Sequence, residues 1–132
     1  PLASHIVASE PAVRIICGHA LDLETACTDM ASRTDAFVAI TGGAAGTWWF
    51  DREAGSSRHV AAPKIKAVDT LAAGDVFHGA FAVGLAEAMP VEQALRFASA
   101  AAALKCQRFG GRLGAPDRAE TLAMVSATWL TP

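Results

Sequence analysis

The run Ala36-Phe37-Val38-Ala39-Ile40, closed by Thr41-Gly42-Gly43, most limits what this chain can fold into. A strand with no polar residue at alternate positions has no solvent face and is buried on both sides. Just upstream, between Asp22 and Ser32, the residues Leu23, Ala26, Cys27, Met30 and Ala31 recur at helical spacing with polar residues between them. A helix followed by a doubly buried strand is the rhythm of an α/β protein, with a mainly parallel central sheet between helices.

The rest of the chain continues this rhythm. His5-Ile6-Val7-Ala8 predicts a buried strand, Ser9-Glu10-Pro11 a turn, and Ala12–Cys17 a short helix ended by Gly18. Thr47-Trp48-Trp49-Phe50 is strand-like, and Arg58-His59-Val60 is expected to return antiparallel after a turn at 51–56, giving an edge hairpin. Trp48 and Trp49 face opposite ways on such a strand, one toward the core and one over an edge, and sheet packing is favoured over substrate stacking. Extended chain is expected at Pro63–Lys66, helices at Gly74–Ala88, Val91–Arg108 and Arg118–Ala127, and a loop at 109–116. The helix opened by Asp75 is apolar nearly all round and reads as buried on most faces. Its Gly79 and Gly84 each cost about 1 kcal/mol relative to alanine, which points to packing reasons for both. With no repeat and no low-complexity linker, residues 1–132 read as a single domain.

Composition narrows the function classes. Hydrophobic residues make up 52% and charged residues 18%, as in a globular chain rather than a disordered one. The 11 basic against 13 acidic residues leave no basic patch that argues for nucleic acid. No apolar run reaches the roughly 20 residues that span a bilayer. No signal-like start is present either, so the expectation is a cytoplasmic protein without a membrane partner. Cys17, Cys27 and Cys106 read as inert thiols of a reducing compartment. The histidines His5, His19, His59 and His78 lack metal-ligand spacing, which argues against zinc. The chain starts at Pro1 and enters a strand almost at once, so an earlier part is expected to be missing.

The chemistry concentrates in 68–81, which runs from a polar turn through Leu71-Ala72-Ala73-Gly74 into Asp75 and an apolar helix. Main-chain N–H groups of Ala72, Ala73 and Gly74 can converge on an anion, and the helix start adds its positive dipole end. Asp75 beside them can accept a hydroxyl proton during phosphoryl transfer; an aspartate of ordinary pKa, about 3.9, suffices when the proton moves late. Spacing alone leaves open that Asp75 merely caps the helix. The glycines of Thr41-Gly42-Gly43-Ala44-Ala45-Gly46 follow a buried strand, where ligands gather in open α/β sheets, although these residues by themselves favour a simple tight turn. No Gly-Lys-Ser/Thr ending makes this a Walker loop. On the second helix, Ser99 sits among Ala98, Ala100, Ala101, Ala102 and Ala103, small residues that admit another backbone or a flat ligand.

The stretch Asp69-Thr70-Leu71-Ala72-Ala73-Gly74-Asp75, with Phe77, Gly79 and Ala80 after it, resembles the C-terminal signature of ribokinase-type (PfkB) sugar kinases. The resemblance reaches upstream to the 40–46 turn and downstream through the alanine-rich helix to Gly110, covering nearly the whole chain but only the C-terminal two-fifths or so of a typical member. It implies an ATP-dependent carbohydrate kinase with Asp75 as catalytic base and Ala72, Ala73 and Gly74 as the anion hole. Many members carry glycine where this chain has Ala72. Thr41, Gly43 and Gly46 are implied to line the nucleotide, Gly74 to meet its phosphate and Ser99 to contact adenine, with magnesium bridging the phosphates. A monovalent cation site for potassium is implied at Asp69, Leu71, Lys105, Arg108, Gly110 and Gly114, mostly through backbone carbonyls, with Gly114 replacing a frequent serine. The family's Asn-x-x-Glu element aligns with Ser9-Glu10-Pro11-Ala12, leaving Glu10 as the candidate substitute for metal handling. The Ser-Glu-Pro form is similar to a bacterial branch that includes sulfofructose kinase, which implies a primary hydroxyl of a ketohexose-like sugar as acceptor. Sugar-binding residues and the lid used for homodimers belong to the family's N-terminal half, so the 132 residues alone are expected to turn over little or no substrate. Alternatives are a nucleotide-binding or regulatory module without chemistry and a nucleoside kinase of the same superfamily.

Overall fold

The computed structural model describes residues 2–18 and 20–130; His19, one of the histidines read for metal spacing, and Pro1 lie outside the described residues. The chain divides into two compact units, Pro1–Ala61 and Ala62–Pro132.

The first unit runs β1 (His5–Ser9), α1 (Glu10–Cys17), α2 (Leu23–Ser32), β2 (Phe37–Thr41), β3 (Thr47–Asp51) and β4 (Ser56–Val60). The strands lie side by side in that order in a four-stranded sheet. β1 and β2 pair in parallel, with His5 opposite Phe37 and Ser9 opposite Thr41. Parallel neighbours need a crossover, which α1 and α2 supply. β2–β3 and β3–β4 are antiparallel, so parallel pairing is confined to the first pair and the expected hairpin closes the sheet.

Alternation along the strands sorts the side chains. Val38 and Ile40 of β2 join Val13, Leu23, Cys27 and Met30 in the core, with Trp48 and Phe50 of β3 packed against them. Trp49 faces the other way, its ring 6.2 Å from Phe37 and under the guanidinium of Arg58 at 5.8 Å. The two tryptophans therefore divide between core and opposite face, as a strand requires.

Ser9-Glu10-Pro11 is not a turn. It opens α1, with Ser9 as extended N-cap and the proline in the first turn, where a missing N–H costs nothing. Asp22 caps α2 by accepting from the Thr25 amide at 2.8 Å. At the other end of α2, Arg52 donates to the carbonyls of Ala31, Thr34 and Ala36. One guanidinium from the hairpin turn thus meets a last-turn carbonyl of α2 and two carbonyls of the segment leading into β2.

The second unit contains α3 (Ala73–Ala86), α4 (Val91–Cys106) and α5 (Arg118–Val125), the last continued by a π-helical turn at Ser126–Leu130. Here the expectation for α3 is overturned. α3 buries only Phe77, Phe81 and Gly84 and leaves Val83 exposed, whereas α4 is the helix buried on most faces. Its small side chains allow close approach from several directions, and apolarity alone did not rank the two helices. Gly84 has a packing reason, since a Cβ there would lie 2.9 Å from Cβ of Ala94. Gly79 has none: a Cβ there meets nothing within 4 Å. α5 opens with a capping box, Asp117 and Glu120 each bonding the other's backbone amide. Paired hydrogen bonds of 2.7 Å from Arg118 to Glu87 tie α5 to the end of α3.

The three cysteines are free, and burial pushes each thiol upward, consistent with inert side chains. Among the described residues, no helix is long and apolar enough to cross a membrane.

Candidate active site

The approach to α3 is built on a left-handed residue. Ala72 has φ 62° and ψ 13° and stands at the N-cap without a side-chain cap. This conformation costs a non-glycine residue about 1 kcal/mol, which explains why glycine suits the position. The amide of Ala73 turns back to the Thr70 carbonyl at 3.1 Å. Of the proposed anion hole, Ala73 is therefore engaged. The amides of Ala72 and Gly74, and also that of Asp75, have no partner among the described residues. A Cβ built on Gly74 meets nothing within 4 Å, so the approach to these donors is open. His78, one turn on, bonds the Gly74 carbonyl through Nδ1 at 2.7 Å and holds that peptide in place.

Asp75 occupies the third helical position, and its exposed carboxylate has no hydrogen-bond or ion-pair partner among the described residues. Ala72, not Asp75, is the cap, so the bland reading of Asp75 as a capping residue loses its support. The site thus offers unpaired amides at a helix N-terminus, where negative charge is favoured, next to an unengaged carboxylate.

Asp69, at the other end of the same loop, is fully engaged. Its Oδ1 accepts from the Leu71 amide at 2.9 Å, and Oδ2 from the amides of Gly110 at 3.1 Å and Gly111 at 3.3 Å. Lys105 Nζ completes the set at 3.1 Å from Oδ2. The Leu71 amide above all, then Lys105, hold the Asp69 carboxyl down at about 2.

The residues read as a monovalent-cation site do converge, with one difference. Lys105, expected to contribute its carbonyl, is a fully buried side chain whose ammonium donates to the carbonyls of Asp69 at 2.7 Å and Arg108 at 3.4 Å. Its own carbonyl accepts from the Arg108 amide at 3.0 Å, and that of Gly110 from the Leu113 amide at 3.1 Å. A Cβ at Gly114 would stand 3.1 Å from Cβ of Arg108, so a serine fits poorly there. Two of the oxygens meant for potassium already hold a positive charge, and this constellation does not fit an added ion.

The sequence reading missed the Lys105 side chain and the Asp69 carboxylate. A signal was present: Lys105 falls on the helical face of Ala98 and Ala101, both buried, where a lysine is out of place unless paired.

In the first unit, the 41–46 turn follows β2 at its carboxyl end. Its Gly42 amide donates to the Gly46 carbonyl at 2.8 Å, and His59 Nε2 bonds the Ala45 carbonyl at 2.7 Å. Gly42 is fixed by packing, as a Cβ would lie 2.9 Å from Leu23. Gly43 has φ 58° and open space above it, while Gly46 has φ 96°. Thr41 Oγ1 reaches the Ala8 carbonyl at 3.5 Å. Ser99 lies in the interior of α4, only 7% exposed. Glu10, the candidate substitute for metal handling, is instead bound by Arg14 through contacts of 2.5 and 2.8 Å within α1. Among the described residues no cluster of three or more histidine, cysteine or acidic side chains is suited to a metal.

A left-handed step at Ala72 thus leads into a helix whose Gly74 and Asp75 amides are open and whose third residue is an aspartate without a partner among the described residues. Residues 1–118 match the pfkB family carbohydrate kinase model, and the chain belongs to that family. It is 44% identical over 77 residues to ribokinase of Bacillus subtilis, a stretch covering 57% of this chain and 26% of that protein. The structure of Thermotoga maritima ribokinase superposes with a TM-score of 0.82 at 32% identity, over 93% of this chain and 42% of the other. Arabidopsis thaliana ribokinase, solved with ribose and ATP, superposes at 0.79 and 29% identity, over 90% of this chain and 39% of the other. The chain thus spans about a quarter of the curated relative's length and about two-fifths of the solved ones.

Proposed function

We propose that the protein carrying this sequence transfers the γ-phosphoryl group of ATP to a sugar hydroxyl, with Asp75 as general base. The observation that carries this reading is the exposed, unpaired Asp75 carboxylate beside the open amides of Ala72 and Gly74. Asp75 accepts the proton of the attacking hydroxyl as its oxygen bonds to the γ-phosphorus and the bond from that phosphorus to the β,γ-bridging oxygen breaks, releasing ADP. The amides of Gly74 and Asp75 donate to oxygens of the moving phosphoryl group, helped by the positive end of α3, so the charge is met without reorganisation. Ala73 steadies the turn through its bond to Thr70 rather than donating to phosphate.

Bound together with the nucleotide, magnesium would neutralise phosphate charge, and such an ion commonly takes one or two protein carboxylates beside the phosphates. Glu10, aligned with the family's metal-handling element, is paired with Arg14. Nucleotide contacts are assigned, each taken by itself, to Thr41, Gly43 and Gly46 and to Ser99, on family membership and on the open space above Gly43. The comparison proteins named ribokinase make ribose the first acceptor to try, with ketohexoses second on the strength of the Ser-Glu-Pro form. A homodimer and a cytoplasmic location follow from the same family reading.

The test is Asp75→Asn in the full-length protein. Turnover with ATP and the best sugar of a panel should fall by about 10²–10⁴, with ATP binding retained. Unchanged turnover overturns the assignment. The pairing of Glu10 with Arg14 favours a second reading, a nucleotide-binding module without chemistry. ATP binding with no phosphorylation of any sugar or nucleoside would establish it, and a preference for nucleosides would move the acceptor class.

A further inference from the structure

A lysine with no exposed surface needs a reason, because removing an ammonium from water is costly unless every proton finds an acceptor. Lys105 finds three: the Asp69 carbonyl at 2.7 Å, Asp69 Oδ2 at 3.1 Å and the Arg108 carbonyl at 3.4 Å. These oxygens come from two segments that lie apart in sequence, the loop leading into α3 and the chain leaving α4. The Asp69 carboxylate draws in the amides of Leu71, Gly110 and Gly111 from the other side. The ammonium is thus the positive centre of a cage that fixes the loop ending at Ala72. Backbone carbonyls replacing a hydration shell are also what hold a potassium ion, and a lysine ammonium is a compact point charge with three donors.

We propose that Lys105 is a built-in monovalent cation: its tethered ammonium fills the carbonyl cage of Asp69 and Arg108, and the protein has no use for potassium. The cage residues agree with this assignment. Gly114 brings no hydroxyl, and its close approach to Arg108 leaves little room for one. The Lys105 and Gly110 carbonyls are engaged by the amides of Arg108 and Leu113. A free ion entering the cage meets a like charge and finds its shortest ligand, the Asp69 carbonyl, already taken.

Potassium chloride and tetramethylammonium chloride at equal ionic strength separate the outcomes, with binding followed by calorimetry and folding by thermal melts of the full-length protein. The unmodified protein should show no saturable potassium binding and the same melting temperature in both salts, to within about 1 °C. Lys105→Ala should melt lower in tetramethylammonium chloride and recover by several degrees, saturably, in potassium chloride. Lys105→Ser serves as a second emptied cage, and folding of either variant only when potassium is present also supports the proposal. Saturable binding of potassium by the unmodified protein overturns it. So do emptied variants that gain nothing from potassium, whether folded in both salts or in neither. Turnover is followed separately because that arm rests on the kinase reading: absent turnover with the expected binding pattern faults that reading and leaves the caged lysine standing.

Discussion

Asp69 and Asp75 bound the same short loop and have opposite surroundings. Asp69 is 19% exposed and receives three amides and a buried ammonium, which hold its carboxyl at about 2. Asp75 is exposed and has no partner among the described residues. One residue type thus has two settings: a carboxylate with its bonds made holds the loop together, and the carboxylate proposed as base has none made among the described residues. The difference lies in partners, not in sequence chemistry.

The strongest way to break this comparison is to remove the charge at each end. Asp75→Asn should abolish most turnover, by the factor given above, and leave the melting temperature within about 1 °C of the parent, since an exposed side chain without partners holds nothing together. Asp69→Asn should do the reverse in kind, lowering the melting temperature by several degrees because Lys105 is left buried without its counter-charge. Equal losses of stability in the two variants would show that the division of labour is wrong.

Acid sharpens the same point. A carboxyl whose folded pKa lies below its unfolded value contributes stability that is present above about pH 4 and lost as pH falls toward 2. Melting temperature followed from pH 5 to about pH 2 should drop through this window, and Asp69→Asn should flatten the drop.

The helix that Asp75 opens supplies a smaller test. Gly84→Ala drives a Cβ against Ala94 and should cost about 1–3 kcal/mol in denaturant unfolding. Gly79→Ala meets open space and should gain about 0.5–1 kcal/mol. The smallest effect is expected at Ala72→Gly, which relieves the left-handed strain against a looser unfolded chain and should stabilise by about 0.5 kcal/mol. A loss there would show that the Ala72 side chain contributes packing the loop relies on.

Much of this was legible in residues. The doubly buried run of β2, the opposite faces of Trp48 and Trp49, the hairpin and the α3 start followed from patterns that local sterics and burial impose. The two helices of the second unit were harder. Both are apolar, so periodicity could not say that α4 is enclosed and α3 half open. Ser9-Glu10-Pro11 has the composition of a turn, yet a proline also suits a helix's first turn, and contact with the rest of the unit decides between them.

By itself the sequence determined the α/β class, the family signature and the identity of the candidate base, because these depend on short-range spacing and on which residue types stand side by side. Only the tertiary structure decided which carboxylate is spent on architecture, which amides stay open and where the Lys105 ammonium goes. Those outcomes depend on oxygens brought together from the α3 loop and the end of α4, and no local pattern encodes their meeting.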